Sequence, residues 1–352
     1  MIWIGVDAHK RVHQGVALGP TGVIAHKQIA NTAAGWDELR AWAGAWPDRI
    51  WAIEGSASYG RGLAQFLTER GERVHEVSPK WTAERRRTMR KPGKSDRLDA
   101  HAVARLLREE GDSLPVVLPE EPEVATLQLW SRLRDDFVVD MTRVRNRLHA
   151  LLLVCDSEYQ RGLPSLTTQA GVAACQKYTA PGLSALARER EQAVRQLAMQ
   201  LALLADQERE IQHKLERTTS GRFSALRTMS GIGALIAAGL IAELGAPRPG
   251  FGEAQLAALA GVSPLEASSA GGTRHRLNRL GNRRLNRLLH QIVMTQARTY
   301  APAQTYLARR LQEGRTAREA RRALKRHLVR GIWRRWQACW PTPPARELPA
   351  VA

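Results

Sequence analysis

The chain has 352 residues, 43% of them hydrophobic, and carries 53 Lys and Arg against 34 Asp and Glu, a formal net charge of +19. That apolar content excludes a disordered basic tail and suffices for two or three domains with cores of their own. The charge points to a polyanionic partner, nucleic acid first. Cys155, Cys175 and Cys339 are odd in number and far apart, which argues against a disulfide framework or a cysteine metal site. There is no long apolar run for a membrane helix and no leader pattern, so a reducing cytoplasm is expected.

Ile2-Trp3-Ile4-Gly5-Val6 is an apolar run ending at Asp7, the pattern of a central strand over 2–8. Residues 13–18 and 23–29 read as two more strands, joined by the turn signal Gly19-Pro20-Thr21-Gly22. Asn31-Thr32 can cap a helix with Trp36, Leu39 and Trp42 on one face. A strand over 49–54 ends in Glu54, a helix follows over 62–69, and a fifth strand over 73–77. A meander of three strands followed by strand, helix and strand predicts an α/β RNase-H-like (RuvC-like) domain.

A basic run over 80–94 is broken at Pro92-Gly93. Lys94-Ser95-Asp96-Arg97-Leu98-Asp99-Ala100 follows and opens a helix over 99–109 with Val103 and Leu106 inward. The stretch 111–123, with Pro115, Pro119 and Pro122, reads as a linker. Residues 124–217 are mostly helical: Leu127, Trp130, Leu133, Phe137, Met141, Val144, Leu148 and Leu151 recur at spacings of three and four. A second helix over 183–215 carries Val194, Leu197, Leu201, Leu204, Ile211 and Leu215 in heptad spacing, broken once by Glu208. This pattern fits an intramolecular helical hairpin or a coiled coil joining subunits.

Met229-Ser230-Gly231-Ile232-Gly233 before an Ala-rich helix is like a helix-hairpin-helix turn, which meets nucleic-acid backbone without reading sequence. The expected organisation is a catalytic domain over 1–115, a helical or coiled-coil region over 116–222, a mainly α-helical domain over 223–340, and a disordered tail over 341–352.

The chemistry centres on four carboxylates. Asp7 and Glu54 stand at the ends of strands that neighbour each other in an RNase-H-like sheet. Asp96 and Asp99, three apart, share one helical face. Like charges gathered so closely repel, and a divalent cation, Mg²⁺ or Mn²⁺, relieves the repulsion. Two such ions ~3.5–4 Å apart could serve phosphodiester cleavage. Taken singly, any such carboxylate is more often a solvated surface group or a helix-cap residue, and Asp96 could be an N-cap.

Gly5-Val6-Asp7-Ala8-His9-Lys10, Ile53-Glu54-Gly55-Ser56-Ala57-Ser58-Tyr59 and the segment from Lys94 to Ala100 together resemble the DEDD transposases of the IS-one-ten family of insertion sequences, relatives of the Piv-type DNA invertases. Gly231-Ile232-Gly233, Leu259-Ala260-Gly261-Val262-Ser263-Pro264, Ser268-Ser269 and Arg274-His275-Arg276-Leu277-Asn278-Arg279 continue the resemblance in family order.

The resemblance implies a bacterial DNA transposase with Asp7, Glu54, Asp96 and Asp99 as metal-binding catalytic residues. It also implies a second catalytic domain with a serine nucleophile five residues past Pro264, at Ser269, with Ser268 beside it. This chain has Ala270 where the family has glycine, and Ser95 where it commonly has threonine. Family members are similar to recombinases guided by a noncoding bridge RNA that pairs with donor and target DNA, which would supply the sequence reading. The heptad run from Val194 to Leu215 adds the expectation of a homo-oligomer, dimer or tetramer, joined through the helices around 124–151 and 183–215.

Three basic stretches are candidate nucleic-acid contacts: Arg85, Arg86, Arg87, Lys91 and Lys94; Arg274, Arg276, Arg279, Arg283, Arg284 and Arg287; and the run 321–335. Trp81, Trp333, Trp336 and Trp340 lie in or near them, suited either to base stacking or to the core. Two rivals stand beside the transposase: a RuvC-like Holliday-junction nuclease, which needs only the four carboxylates, and a nucleic-acid-binding protein with a decayed site.

Overall fold

A computed structural model of the chain describes residues 1–79, 81–82, 96–182, 184–248, 250–266, 275–276, 278 and 281–340. The chain divides into two compact units, Met1–Glu120 and Glu121–Ala352.

The first unit is a five-stranded sheet in the order β3-β2-β1-β4-β5, built from β1 (Ile2–Ala8), β2 (Val12–Leu18), β3 (Val23–Ala30), β4 (Arg49–Glu54) and β5 (Val74–Val77). The first three strands pair antiparallel, and β1, β4 and β5 run parallel. This is the topology expected from the strand order. Helices α1 (Ala33–Ala43) and α2 (Arg61–Glu69) belong to this unit, with Leu39, Leu63 and Leu67 clustered against Ile4, Val6, Trp51 and Ile53. Helix α3 (Asp96–Glu110) sets Val103, Leu106 and Leu107 in a second cluster with Ile50, Ala52 and Val77. Alternate residues of β4 thus enter opposite cores, so the strand reads as a continuous apolar run. Thr32 caps α1, its side chain accepting from the Gly35 amide.

Two expectations are corrected here. The helix expected over 99–109 begins at Asp96, so both carboxylates stand in its first turn, where the helix dipole favours negative charge. The stretch read as a linker is part of the sheet's edge up to Val117: Glu76 N–H donates to Pro115 O at 2.8 Å and Val117 N–H to Val74 O at 2.8 Å. Prolines do not prevent this, because an edge segment uses only alternate backbone groups.

In the second unit, α4 (Pro122–Cys155) and α7 (Ala185–Ser220) pack against each other; the short helices α5 (Tyr159–Gly162) and α6 (Gln169–Gln176) lie between them in sequence. Val194, Ala198 and Leu201 bury against Val144, Leu148 and Leu152, together with Tyr159, Cys175 and Tyr178. Of the two readings of the heptads, the intramolecular hairpin is the one the chain adopts.

Ile211 and Leu215 bury in a separate, larger core. That core is shared with α8 (Ser224–Arg227), α9 (Ala234–Leu244), α10 (Glu253–Leu259), α11 (Arg283–Thr299), α12 (Ala301–Gln312) and α13 (Ala317–Gln337). Trp336 is fully buried in it, its indole N–H donating to Gly245 O at 2.9 Å, so it is unavailable for stacking on bases. A two-residue ribbon pairs β6 (Leu265–Glu266) with β7 (His275–Arg276). Among the described residues no helix is long and apolar enough to cross a membrane.

Candidate active site

Asp7 and Glu54 are direct register partners on the parallel strands β1 and β4. Parallel pairing brings both C-terminal ends to one edge, so two strand-end carboxylates become lateral neighbours, a few ångströms apart in backbone. Gly55 follows Glu54 with φ +71°, a left-handed turn that ends the strand there.

Helix α3 brings the other pair to the same edge by packing tightly over β1. A Cβ on Gly5 would sit 2.2 Å from Ala104 N and 2.4 Å from Ala100 O. Only glycine permits that approach, and the small residues Ala100 and Ala104, one turn apart, supply the flat helix face. Asp99 is 7% exposed, and its charge reaches Asp7, itself 5% exposed. Asp96 is exposed at the mouth.

His9 completes the cluster. Its Nε2 lies 3.0 Å from Asp7 Oδ2 and 3.6 Å from Asp96 Oδ1. One ligand atom each from Asp7, His9 and Asp96 falls within 4.8 Å of the others. Burial pushes the Asp7 carboxyl above the usual aspartate range; His9 opposes the rise, while the charges of Asp99 and Asp96 add to it. A buried carboxylate crowded by two others is the electrostatic condition that a hard divalent cation satisfies, and the donor set fits Mg²⁺ or Mn²⁺, the imidazole being more at home on Mn²⁺.

The sequence reading passed over His9 as a site residue. Its signal was available: it stands two residues beyond Asp7, and alternate positions of an extended chain share a side.

Ser268 and Ser269 belong to the segment 267–274 that connects β6 to β7, and this segment is outside the described residues. Its flanks are described. Gly261 has φ +65°, and a Cβ on Gly281 would meet Gly261 N at 2.4 Å, so two glycine backbones cross at the neck of the excursion. Asn282 N–H donates to Leu259 O at 2.7 Å and closes that neck.

Of the basic candidates, Arg85, Arg86, Arg87, Lys91, Lys94, Arg274 and Arg279 fall outside the described residues, and Arg276 is placed in β7 by its backbone. Arg283 is exposed at the start of α11. Arg284 and Arg287 both engage Asp135, Arg284 at 2.9 Å, and Arg284 also meets Glu243 at 3.1 Å. These two arginines tie α11 to α4 and α9.

Comparison with known proteins matches both units. A family model described as "Transposase" matches residues 4–155, and one described as "Transposase IS116/IS110/IS902 family" matches residues 223–308. The insertion element IS116 protein of Streptomyces clavuligerus is 26% identical, over 98% of both chains. The transposase for insertion sequence element IS1328 of Yersinia enterocolitica is 26% identical over 76% of this chain and 75% of its own. The insertion element IS900 protein of Mycobacterium paratuberculosis is 24% identical over 94% of each. Among solved structures, Thermus thermophilus RuvC with a Holliday junction substrate aligns at 11% identity and a TM-score of 0.26, covering 33% of this chain and 99% of that one.

The two family matches, one in each unit, and the insertion-element relatives define a DNA transposase, an enzyme. The chain belongs to the IS110/IS116/IS902 family of insertion-sequence transposases.

Proposed function

We propose that this chain is a bacterial cytoplasmic recombinase that excises and inserts its own element through serine-mediated strand exchange at DNA phosphodiesters. Asp7, Glu54, Asp96 and Asp99, with His9, form its metal-dependent site. The observation that carries the reading is the register pairing of Asp7 with Glu54 beneath an α3 that delivers two more carboxylates.

Asp7, Glu54, Asp96 and Asp99 hold the cation, and His9 joins Asp7 and Asp96 on the open side. Bound there, Mg²⁺ or Mn²⁺ would polarise the scissile phosphate and offset its developing charge. Ser269 attacks phosphorus through Oγ, forming a phosphoserine bond as the strand's O3′ leaves. The hydroxyl proton must pass to a base. Reversal by an incoming O3′ rejoins DNA without external energy, because one phosphoester replaces another.

Donor and target sequences are read by a noncoding guide RNA. The support is the +19 charge together with described residues that expose arginines such as Arg283 and include no zinc finger. Self-association, as a dimer or tetramer, belongs to the same reading. The heptad face is spent inside the hairpin, so copies would meet on other faces, where Leu129, Val139, Leu153, Leu186, Met199 and Leu203 stand exposed.

The decisive experiment traps the reaction in denaturant and maps the DNA-modified peptide. An adduct on Ser269, lost in Ser269→Ala, supports the mechanism; an adduct on Ser268 moves the nucleophile by one residue. Full recombination by Ser269→Ala with no adduct overturns it in favour of direct hydrolysis, as a junction-resolving nuclease would use.

A further inference from the structure

A cavity of about 730 Å³ opens in the second unit against the Gly261-Val262-Ser263-Pro264 turn from which the serine segment departs. Its wall carries Arg283, Arg322, Lys325 and Arg326, with the amide side chains of Asn278 and Asn286. No carboxylate is among the described residues lining it. Of the four cations, Arg326 is tied to Glu253 at 3.1 Å. Among the described residues, neither Arg283 nor Lys325 forms an ion pair.

Lys325 is the unusual group. It is 9% exposed, and its Nζ donates to Asn286 Oδ1 at 2.9 Å. Asn286 in turn donates through Nδ2 to Ala260 O at 2.7 Å, beside Gly261. A lysine taken out of water and satisfied by an amide oxygen alone bears most of its desolvation cost uncompensated. Burial and the neighbouring Arg322 accordingly pull its ammonium below the usual lysine range. The first turn of α11 adds the positive end of a helix dipole, with Asn282 as cap. Each of these features favours an anion in the cavity.

We propose that this cavity is a phosphodiester cradle: Lys325, Arg322 and Arg283 hold a backbone phosphate of the DNA strand against the Gly261–Pro264 turn, and Asn286 aims the lysine. The choice of DNA rests on the serine reading above, because the cradle adjoins the root of the serine segment. Lys325 and Arg322 lie beyond residues 223–308, and a deeply buried lysine on a helix face gives no sequence signal of a ligand site.

The test measures binding of the full-length protein to a short duplex oligonucleotide by fluorescence anisotropy across salt concentrations, without divalent cation, so that no chemistry intervenes. Lys325→Met and Arg322→Ala should each weaken binding about tenfold and reduce the log–log salt slope by about one. Lys325→Arg should retain most of the affinity. Arg188→Ala, removing one exposed charge from α7, should change neither quantity. Lys325→Met should melt at the wild-type temperature or above it, since it removes an uncompensated buried charge. Arg322 is exposed, so its variant reports even if Lys325→Met folds poorly.

Salt slopes for both variants equal to that of Arg188→Ala would overturn the cradle. So would losses seen with single-stranded RNA and absent with duplex DNA. Neither outcome touches the Ser269 adduct, and absence of that adduct leaves these slopes unchanged, so the two readings fail separately.

Discussion

Gly5 and Ala104 are in backbone contact: a Cβ on Gly5 would lie 2.2 Å from Ala104 N. This contact seats α3 on β1 and brings Asp96 and Asp99 to the edge that holds Asp7 and Glu54. Gly5→Ala must therefore lift the helix. The expected cost is about 2–3 kcal/mol of stability, read by urea denaturation, together with loss of strand cleavage. Wild-type cleavage in Gly5→Ala would show that the helix need not sit so close.

Asp7→Asn and Asp99→Asn should abolish strand cleavage and leave the fold intact. Without divalent cation both should be at least as stable as the parent, because each removes one charge from a mutually repelling group. Adding Mg²⁺ or Mn²⁺ should raise the melting temperature of the parent more than that of either variant, since a ligand stabilises only the state that binds it. An equal rise in all three would remove these residues from the metal site.

Glu72 is a part-buried acid with a structural role, outside the carboxylate cluster proposed as the metal site. Burial works against its charge. Hydrogen bonds from Arg49 Nε at 3.0 Å and Trp51 Nε1 at 2.9 Å, with the charges of Arg49 and Arg40, prevail and hold its carboxyl below the usual glutamate range. A depressed folded value means stability fully present above the unfolded value of 4.5 and lost as the pH falls through the folded one. Glu72→Gln should cost about 2–4 kcal/mol at neutral pH and flatten the acid limb of the stability profile. An unchanged acid limb would show that other carboxylates dominate it.

Protein freed of RNA should bind DNA with steep salt dependence and little preference among sequences. Adding the proposed guide RNA should restore site preference. Tight, site-specific binding by RNA-free protein would mean that side chains read the bases.

Leu201→Ala, within the hairpin, should cost about 2–5 kcal/mol and loosen the distal half of α4 and α7 first, because their buried cluster is separate from the larger core. Hydrogen exchange resolves the two regions. Uniform loss of protection throughout the second unit would show one cooperative core.

All four carboxylate positions were legible for local reasons. Apolar runs stop at Asp7 and Glu54, and strands end where such runs end. The strand order alone makes β1 and β4 neighbours. The spacing of Asp96 and Asp99 put them on one face, although the helix start was misplaced by three residues, since a first turn beginning with acids looks like a cap until its backbone is known.

What the linear pattern could not carry was set by contacts between distant segments. Periodicity fixes which face of α7 is apolar but not what covers it, and α4 of the same chain does. Prolines suggested a free linker because sequence does not reveal that the edge of β5 was open to be paired. His9 meets Asp96 only because Gly5 lets α3 descend, and Lys325 reaches the Gly261 turn only through Asn286. The sequence therefore determined strand ends, faces and charge, which depend on neighbours along the chain. Tertiary structure decided which of those groups converge, because convergence depends on packing between elements that the chain separates.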